Sequence, residues 1–157
     1  MSQRNLKFFM REEKEEIVKM PAPKSFVDDK GQPIDLEIKV LNHTRIQDIF
    51  SKYRTRSIAT NEQKSPYLSP NGEVVFKTER DSARAVRHII AEALVYPPLQ
   101  DSELMKFYNC VDITEMPTKV FSKSDEYTHV NKMVMQALGL GPEQAQTDAA
   151  LIEEAKN

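Results

Sequence analysis

The fold is decided by Glu79–Gly141, which reads ERDSARAVRHIIAEALVYPPLQDSELMKFYNCVDITEMPTKVFSKSDEYTHVNKMVMQALGLG. Its apolar residues recur every three to four positions, the spacing of a helix that buries one face. The spacing predicts helices over 79–95, over 102–109 and from Ser124 to a stop before Gly139. Their apolar stripes are Ala83, Val86, Ile90, Ala93 and Leu94, and then Tyr127, Val130, Val134, Ala137 and Leu138. The segment Tyr96-Pro97-Pro98-Leu99 breaks the helical pattern, because proline cannot continue a helix.

The N-terminal third mixes a helical pattern with a strand pattern. Residues 2–19 predict a short amphipathic helix, which Pro21 would end. Further on, Ile34–Val40 alternates apolar and polar side chains, as a half-buried strand does. Residues 25–27 precede a Gly31-containing turn and can pair back onto that strand, so we expect one antiparallel hairpin near 25–41.

The connecting region is predicted as a helix over 42–56, a loop over 60–72 and a short strand or extended lead-in at 74–76. Together these patterns predict an α+β fold that is mainly helical, with one small antiparallel β-hairpin packed on the helices. We expect a single domain over 1–141. Residues 142–157 carry four acidic residues against one lysine and predict a flexible acidic tail.

Composition excludes several classes of function. The net charge of −2 is unlike that of a general nucleic-acid binder. No apolar run approaches the roughly 18 residues of a membrane span, so we expect no membrane partner. The single cysteine, Cys110, fits a reducing compartment and is expected to be a small buried hydrophobe.

The polar residues form no recognisable catalytic or ligand-binding motif. The three histidines, His43, His88 and His129, lack partners at metal-ligand spacing, and His88 is expected at the surface or at its boundary. Four glycines provide no phosphate-binding loop. We therefore expect no catalytic site, no cofactor and no metal, and a protein that is not an enzyme.

Apolar residues near the proline break are candidates for binding a partner. Tyr96, Leu99, Met105 and Phe107 offer apolar area there, although core packing is the alternative role for most of it. In the acidic tail, the large apolar residues Leu151 and Ile152 are candidates for the same role.

The order of several short segments resembles the XkdN-like family of phage tail assembly chaperones, found in tailed phages and prophages of Gram-positive bacteria. The segments are SFVDDKGQP (25–33), LEIKV (36–40), AEALVYPPL (91–99), ELMKFY (103–108), DEY (125–127) and EEAKN (153–157). The resemblance spans nearly the whole chain.

This resemblance implies a non-enzymatic protein of the host cytoplasm, absent from the mature virion, that binds the tape measure protein and keeps it soluble during tail tube assembly. The tail tube protein and a second copy of the chain are further candidate partners. Members of the family are often made in two lengths by ribosomal frameshifting, so the resemblance implies a longer product. The residues Ala155-Lys156-Asn157 can be encoded by a slippery A-rich run, which fits this expectation. Two alternatives stay open. One is a structural virion protein of the minor tail or baseplate, and the other is a regulator that binds DNA through Arg80, Arg84 and Arg87.

Overall fold

A computed structural model of the chain describes residues 4–60, 63 and 65–140. Within these residues there are five strands, five α-helices and two 3₁₀ turns. In chain order they are a 3₁₀ turn (Leu6–Phe9), β1 (Ile17–Pro21), β2 (Asp35–Lys39), α1 (His43–Lys52), β3 (Arg54–Ile58), β4 (Phe76–Arg80), α2 (Ser82–Ala93), β5 (Leu94–Tyr96), α3 (Ser102–Phe107), a 3₁₀ turn (Ile113–Glu115), α4 (Met116–Val120) and α5 (Ser124–Ala137).

The strands form two separate antiparallel sheets, ordered β1–β2–β5 and β3–β4. The prediction of a mainly helical domain with one small hairpin is therefore wrong, and the architecture is α+β with two sheets. The reason is that β1, β3 and β5 are stabilised by pairing with distant strands, which local periodicity does not report.

The predicted helix over residues 2–19 is also wrong. Only Leu6–Phe9 forms a helical turn, and Ile17–Pro21 is the edge strand β1, paired with β2 from Ile17↔Lys39 to Pro21↔Asp35. Alternate residues of β1, Val18 and Met20, are half-buried. Burying that face against β2 outweighs the weak helical preference of so short and charged a segment.

The predicted turn after Val27 is present, but it does not close the expected hairpin. The Asp28 carboxylate accepts hydrogen bonds from the backbone N–H groups of Lys30 and Gln32, both at 2.9 Å. Gly31 adopts a φ of 76°, which glycine tolerates without steric cost. The pairing of this turn is a single bridge, Val27↔Pro33, so β2 instead pairs with β1 and β5.

The second sheet forms a protruding hairpin, here named the β-arm and comprising residues 54–60 and 65–80. Its strands pair from Arg54↔Arg80 to Ile58↔Phe76. The predicted loop over 60–72 contains further bridges, Thr60↔Pro66 and Leu68↔Val74. Every residue of β4 is exposed.

The core lies between β2 and the helices. From β2 it takes Leu36 and Ile38, and from the helices it takes residues that share one buried cluster. These include Ile46 and Ile49 of α1, Ala85, Ile89, Ile90 and Ala93 of α2, Met116 of α4, and Val130, Met133 and Val134 of α5. The strand predicted at 34–40 and the helix predicted from Ser124 are confirmed. The helices predicted over 42–56 and 79–95 are present but shorter, because residues 54–56 lie in β3 and residues 79 and 80 lie in β4. Ala83 of the predicted first stripe is exposed.

Helix α2 ends two residues earlier than its pattern predicts. Leu94 pairs with Ile38 and Tyr96 pairs with Glu37, so these residues extend the first sheet as β5. Tyr96 also precedes Pro97, a position that disfavours helical geometry. The stop of α5 is as expected, because Gly139 adopts a φ of 79° and the Leu140 N–H donates to the Met135 carbonyl.

The predicted acidic tail, residues 142–157, lies outside the described residues, and the division into a domain over 1–141 and a tail stays a prediction. No helix in the described part of the chain is long and apolar enough to cross a membrane.

Candidate functional site

An apolar groove opens at the end of the first sheet, between the proline break and α3. Its volume is about 540 Å³. Two charged residues line it, Asp101 and Glu103. The other lining residues are Ala22, Phe26, Ile34, Leu36, Tyr96, Pro97, Pro98, Leu104, Phe107, Tyr108, Val120 and Phe121.

The floor of the groove is rigidly packed. Leu36 of β2 and Phe121 after α4 are fully buried. Phe26 meets Phe121 edge to face, with ring centroids 5.3 Å apart and ring planes at 71°. Such aromatic pairs add stability beyond the area they bury. This side of the groove is therefore preformed.

Hydrogen bonds from α5 hold the segment that carries Phe26. The Ser25 hydroxyl donates to the carboxylate of Glu126, a buried residue of α5. The other oxygen of the same carboxylate accepts from the Lys123 backbone N–H at 3.1 Å. Glu126 thus ties the start of α5 to the groove.

The wall of the groove is the short helix α3. Its N-terminus is capped by Asp101, which also lines the groove. The Asp101 carboxylate accepts from the backbone N–H groups of Glu103 and Leu104, at 3.0 and 3.2 Å. This satisfies two donors that a helix start leaves unpaired. Phe107 at the end of α3 is 79% exposed, with its ring edge to face with Tyr108, so it forms an apolar lip.

The candidate partner-binding residues lie in different parts of the structure. Tyr96 and Phe107 line the groove and are exposed. Leu99 is fully buried in the core, Met105 is partly buried and packed against the core, and neither is among the residues that line the groove. Leu151 and Ile152 lie outside the described residues.

Sequence reasoning missed most of the groove floor. Phe26, Val120 and Phe121 come from segments far apart in the chain, and no periodic pattern joins them. Leu36 gave a partial signal because it lies on the apolar face of the predicted strand. The alternation predicted that Leu36 is buried, but it did not predict which residues pack around Leu36 or that a groove opens beside it.

A second hollow, at the opposite end of the first sheet, is charged. It measures about 970 Å³ and is lined by residues 11–16, residues 39–43, Arg45 and Glu92. Its charges are of both signs, so it favours neither an anion nor a cation. Among the residues that the structure describes, no group of three or more His, Cys, Asp or Glu side chains could hold a metal ion.

His88 is buried, which corrects the expected surface position. Its Nδ1 is hydrogen-bonded to the Tyr53 hydroxyl, and its Nε2 lies 3.7 Å from the Glu92 carboxylate. Glu92 also accepts from Arg45 Nε at 2.7 Å, which joins α1 to α2. Burial lowers the pKa of His88, the nearby Glu92 opposes that effect, and the hydrogen bond from Arg45 lowers the pKa of Glu92. The cluster is best explained as a structural link between the two helices.

Cys110 is buried, as expected, and its thiol donates to the Asp112 carbonyl. Arg84 and Arg87, two arginines of the DNA-binding alternative, reach the turn at 112–114. Arg84 pairs with the Asp112 carboxylate at 2.9 Å, and Arg87 Nε donates to the Thr114 carbonyl at 2.9 Å. Two of the three arginines that the DNA-binding alternative requires are therefore already paired within the chain.

Comparison with known proteins gives one family and two relatives. The model of the phage XkdN-like tail assembly chaperone family matches residues 6–156. The phage-like element PBSX protein XkdN of Bacillus subtilis (strain 168) is 28% identical over 142 residues, covering 85% of this chain and 88% of the relative. The uncharacterised protein YqbN of the same organism is 29% identical over 133 residues, covering 83% and 81%.

A solved structure shares the fold. The crystal structure of YqbN superposes with a TM-score of 0.65 at 24% identity, covering 88% of this chain and 98% of that one. Since the family model matches nearly the whole chain, this protein belongs to the XkdN-like family of phage tail assembly chaperones.

Proposed function

We propose that this protein binds the tape measure protein of its own phage or prophage and keeps it soluble while the tail tube assembles. The observation that carries the proposal is the apolar groove with the exposed lip residues Tyr96 and Phe107. An open apolar groove of this kind suits one face of an amphipathic helix. Membership of the chaperone family supports the same role.

The groove offers a client a buried, closely packed floor and an exposed lip. The floor is set by the buried Leu36 and by the Phe26–Phe121 pair. The lip is set by side chains that solvent already surrounds. A client helix would therefore bury apolar area against a preformed surface, which reduces the entropy cost of binding.

A chaperone of this type acts before the particle is complete. We accordingly propose that the protein works in the host cytoplasm, is absent from the mature virion and acts by binding alone. The longer frameshifted product belongs to the same proposal.

Co-expression tests the proposal. The tape measure protein from the same gene cluster is expressed with and without this chain, and its soluble fraction and co-purification are measured. We expect both to rise with the wild-type chain and to fall with Phe107→Ser, which removes the lip aromatic.

Val111→Ser is the matched control. Val111 is 96% exposed and lies outside the groove, so its loss should leave the client soluble. A client that stays insoluble and unbound with the wild-type chain contradicts the proposal. Detection of this chain in purified particles would then favour a structural virion protein.

A further inference from the structure

We infer that residues 4–10 of one copy of this chain occupy the apolar groove of a second copy until a client displaces them. The displacement rests on the proposed function, whereas the contact between copies does not. The occupant is named the N-terminal segment below.

The N-terminal segment is rich in apolar residues, and none of residues 6–9 is buried. Its large side chains are almost fully exposed, with Phe8 at 81% and Phe9 at 85%. Leu6 and Met10 are also exposed. A contiguous apolar cluster of this kind is typical of an interaction surface.

The charges of the segment and the groove are opposite. The segment contains Arg4 and Lys7 and no acidic residue. The charged residues that line the groove, Asp101 and Glu103, are both acidic. In the described part of the chain, no salt bridge engages these two carboxylates or these two cations. An apolar cationic segment therefore matches an apolar groove with an acidic rim.

In the structure the segment lies away from the groove of its own chain. Residues 15 and 16 are held at the far end of the first sheet, where Glu15 pairs with Lys39 at 3.9 Å and the Glu16 carbonyl accepts from the Val40 N–H at 2.8 Å. No residue from 4 to 10 lines the groove, and residues 11–16 line the hollow at the opposite end of the sheet. A second copy is therefore the occupant that the geometry favours.

Self-association measures the contact directly. The full-length chain is studied by analytical ultracentrifugation over a wide range of concentration, without any client. We expect a mass above that of the monomer that grows with concentration. The double substitution Phe8→Ser/Phe9→Ser should raise the dissociation constant by about 100-fold or more, because it removes two buried aromatic anchors.

The matched control is the double substitution Leu68→Ser/Phe76→Ser, which removes two exposed apolar side chains from the β-arm. Association should be unchanged by it. A wild-type chain that is monomeric throughout overturns the inference. So does a Phe8→Ser/Phe9→Ser chain that associates like the wild type.

A charge exchange separates contact between copies from contact within one chain. Lys7→Glu and Glu103→Lys each place like charges at the rim and should each weaken association. Mixing the two variant chains brings opposite charges together at both contacts, so the mixture should associate like the wild type. Failure of the mixture to recover overturns the docking between copies.

The two proposals can fail independently. If Phe8→Ser/Phe9→Ser abolishes association while the wild-type chain never solubilises a client, the inference stands and the proposed function fails. If a client is solubilised by a chain that never associates, the reverse holds. Where both hold, the monomeric variant should bind the client more tightly than the wild type, because no segment has to be displaced.

Discussion

The two sheets of this protein are built from strands of similar length and differ in what covers them. In the first sheet, Ile38 is 0% exposed because helices lie over its face. In the β-arm, Ile58 is 49% exposed and every residue of β4 is exposed. Antiparallel pairing is common to both, so pairing alone does not make a core. The comparison indicates that the first sheet specifies the fold and that the β-arm is an appendage.

The β-arm is held mainly at its base and along its own strands. The Asp81 N–H donates to the Tyr53 carbonyl at 3.0 Å where the arm meets the helices. Further out, the Arg56 guanidinium lies 4.1 Å from the centre of the Phe76 ring, a cation–π contact across the two strands.

The sharpest contrast is between isoleucines of the two sheets. Ile38→Ala should lower the free energy of unfolding by about 2–5 kcal/mol, because it leaves a cavity in the core. Ile58→Ala should lower it by less than about 1 kcal/mol, because that side chain is half exposed. Urea denaturation of both variants measures the difference. Equal losses would show that the β-arm is part of the cooperative core.

The next largest loss of stability is expected at Asp81, where the β-arm joins the core. Asp81 caps α2 by accepting from the Arg84 N–H at 3.1 Å. Asp81→Ala should cost about 1 kcal/mol of stability, the usual effect of losing an N-cap.

Asp81→Asn retains an oxygen that can accept the same bond and serves as the control in thermal denaturation. A loss of stability in the asparagine variant as large as in the alanine variant would contradict the capping role.

Acidification tests the link between α1 and α2. Because burial lowers the pKa of His88 in the folded state, the unfolded chain binds a proton more readily. Stability contributed by neutral His88 is present above the unfolded pKa of about 6.5 and is lost as pH falls through the lower, folded value. We expect the urea midpoint to fall as pH decreases below about 6.5.

The substitution His88→Gln should reduce this decline, whereas His43→Gln should leave it unchanged because His43 is exposed. A decline that persists in the His88→Gln variant would assign it to other groups.

The groove lip should have the smallest effect on stability. Phe107→Ser removes a largely exposed side chain, so the free energy of unfolding should change by less than about 1 kcal/mol. Denaturation in urea checks this, with Val111→Ser for comparison. A large loss would mean that reduced client binding by Phe107→Ser reflects unfolding.

The sequence predicted those parts of the fold that rest on local patterns. The alternation of Leu36 and Ile38 and the stop of α5 before Gly139 are read from neighbours in the chain, and the structure has them as expected. Strand β1 was missed because Val18 and Met20 are apolar residues within a charged segment. Val18 pairs with Ile38, 20 positions away, and Met20 pairs with Leu36, 16 positions away.

The candidate site was predicted only where it adjoins the proline break. Tyr96 and Phe107 were identified because they flank that break. Phe26 and Phe121 were missed because their contact joins positions that are distant in sequence. For Leu99 the sequence left core packing open as the alternative, because an apolar residue beside a turn has the same sequence signature whether it is buried or exposed.

The central claim is that the client binds in the groove and leaves the β-arm free. Hydrogen–deuterium exchange of this chain, alone and in its co-purified complex with the tape measure protein, tests it most directly. We expect slower exchange on binding at residues 22–36 and 96–108, with little change in β3 and β4. Slower exchange confined to the β-arm, with residues 96–108 unchanged, would contradict the account.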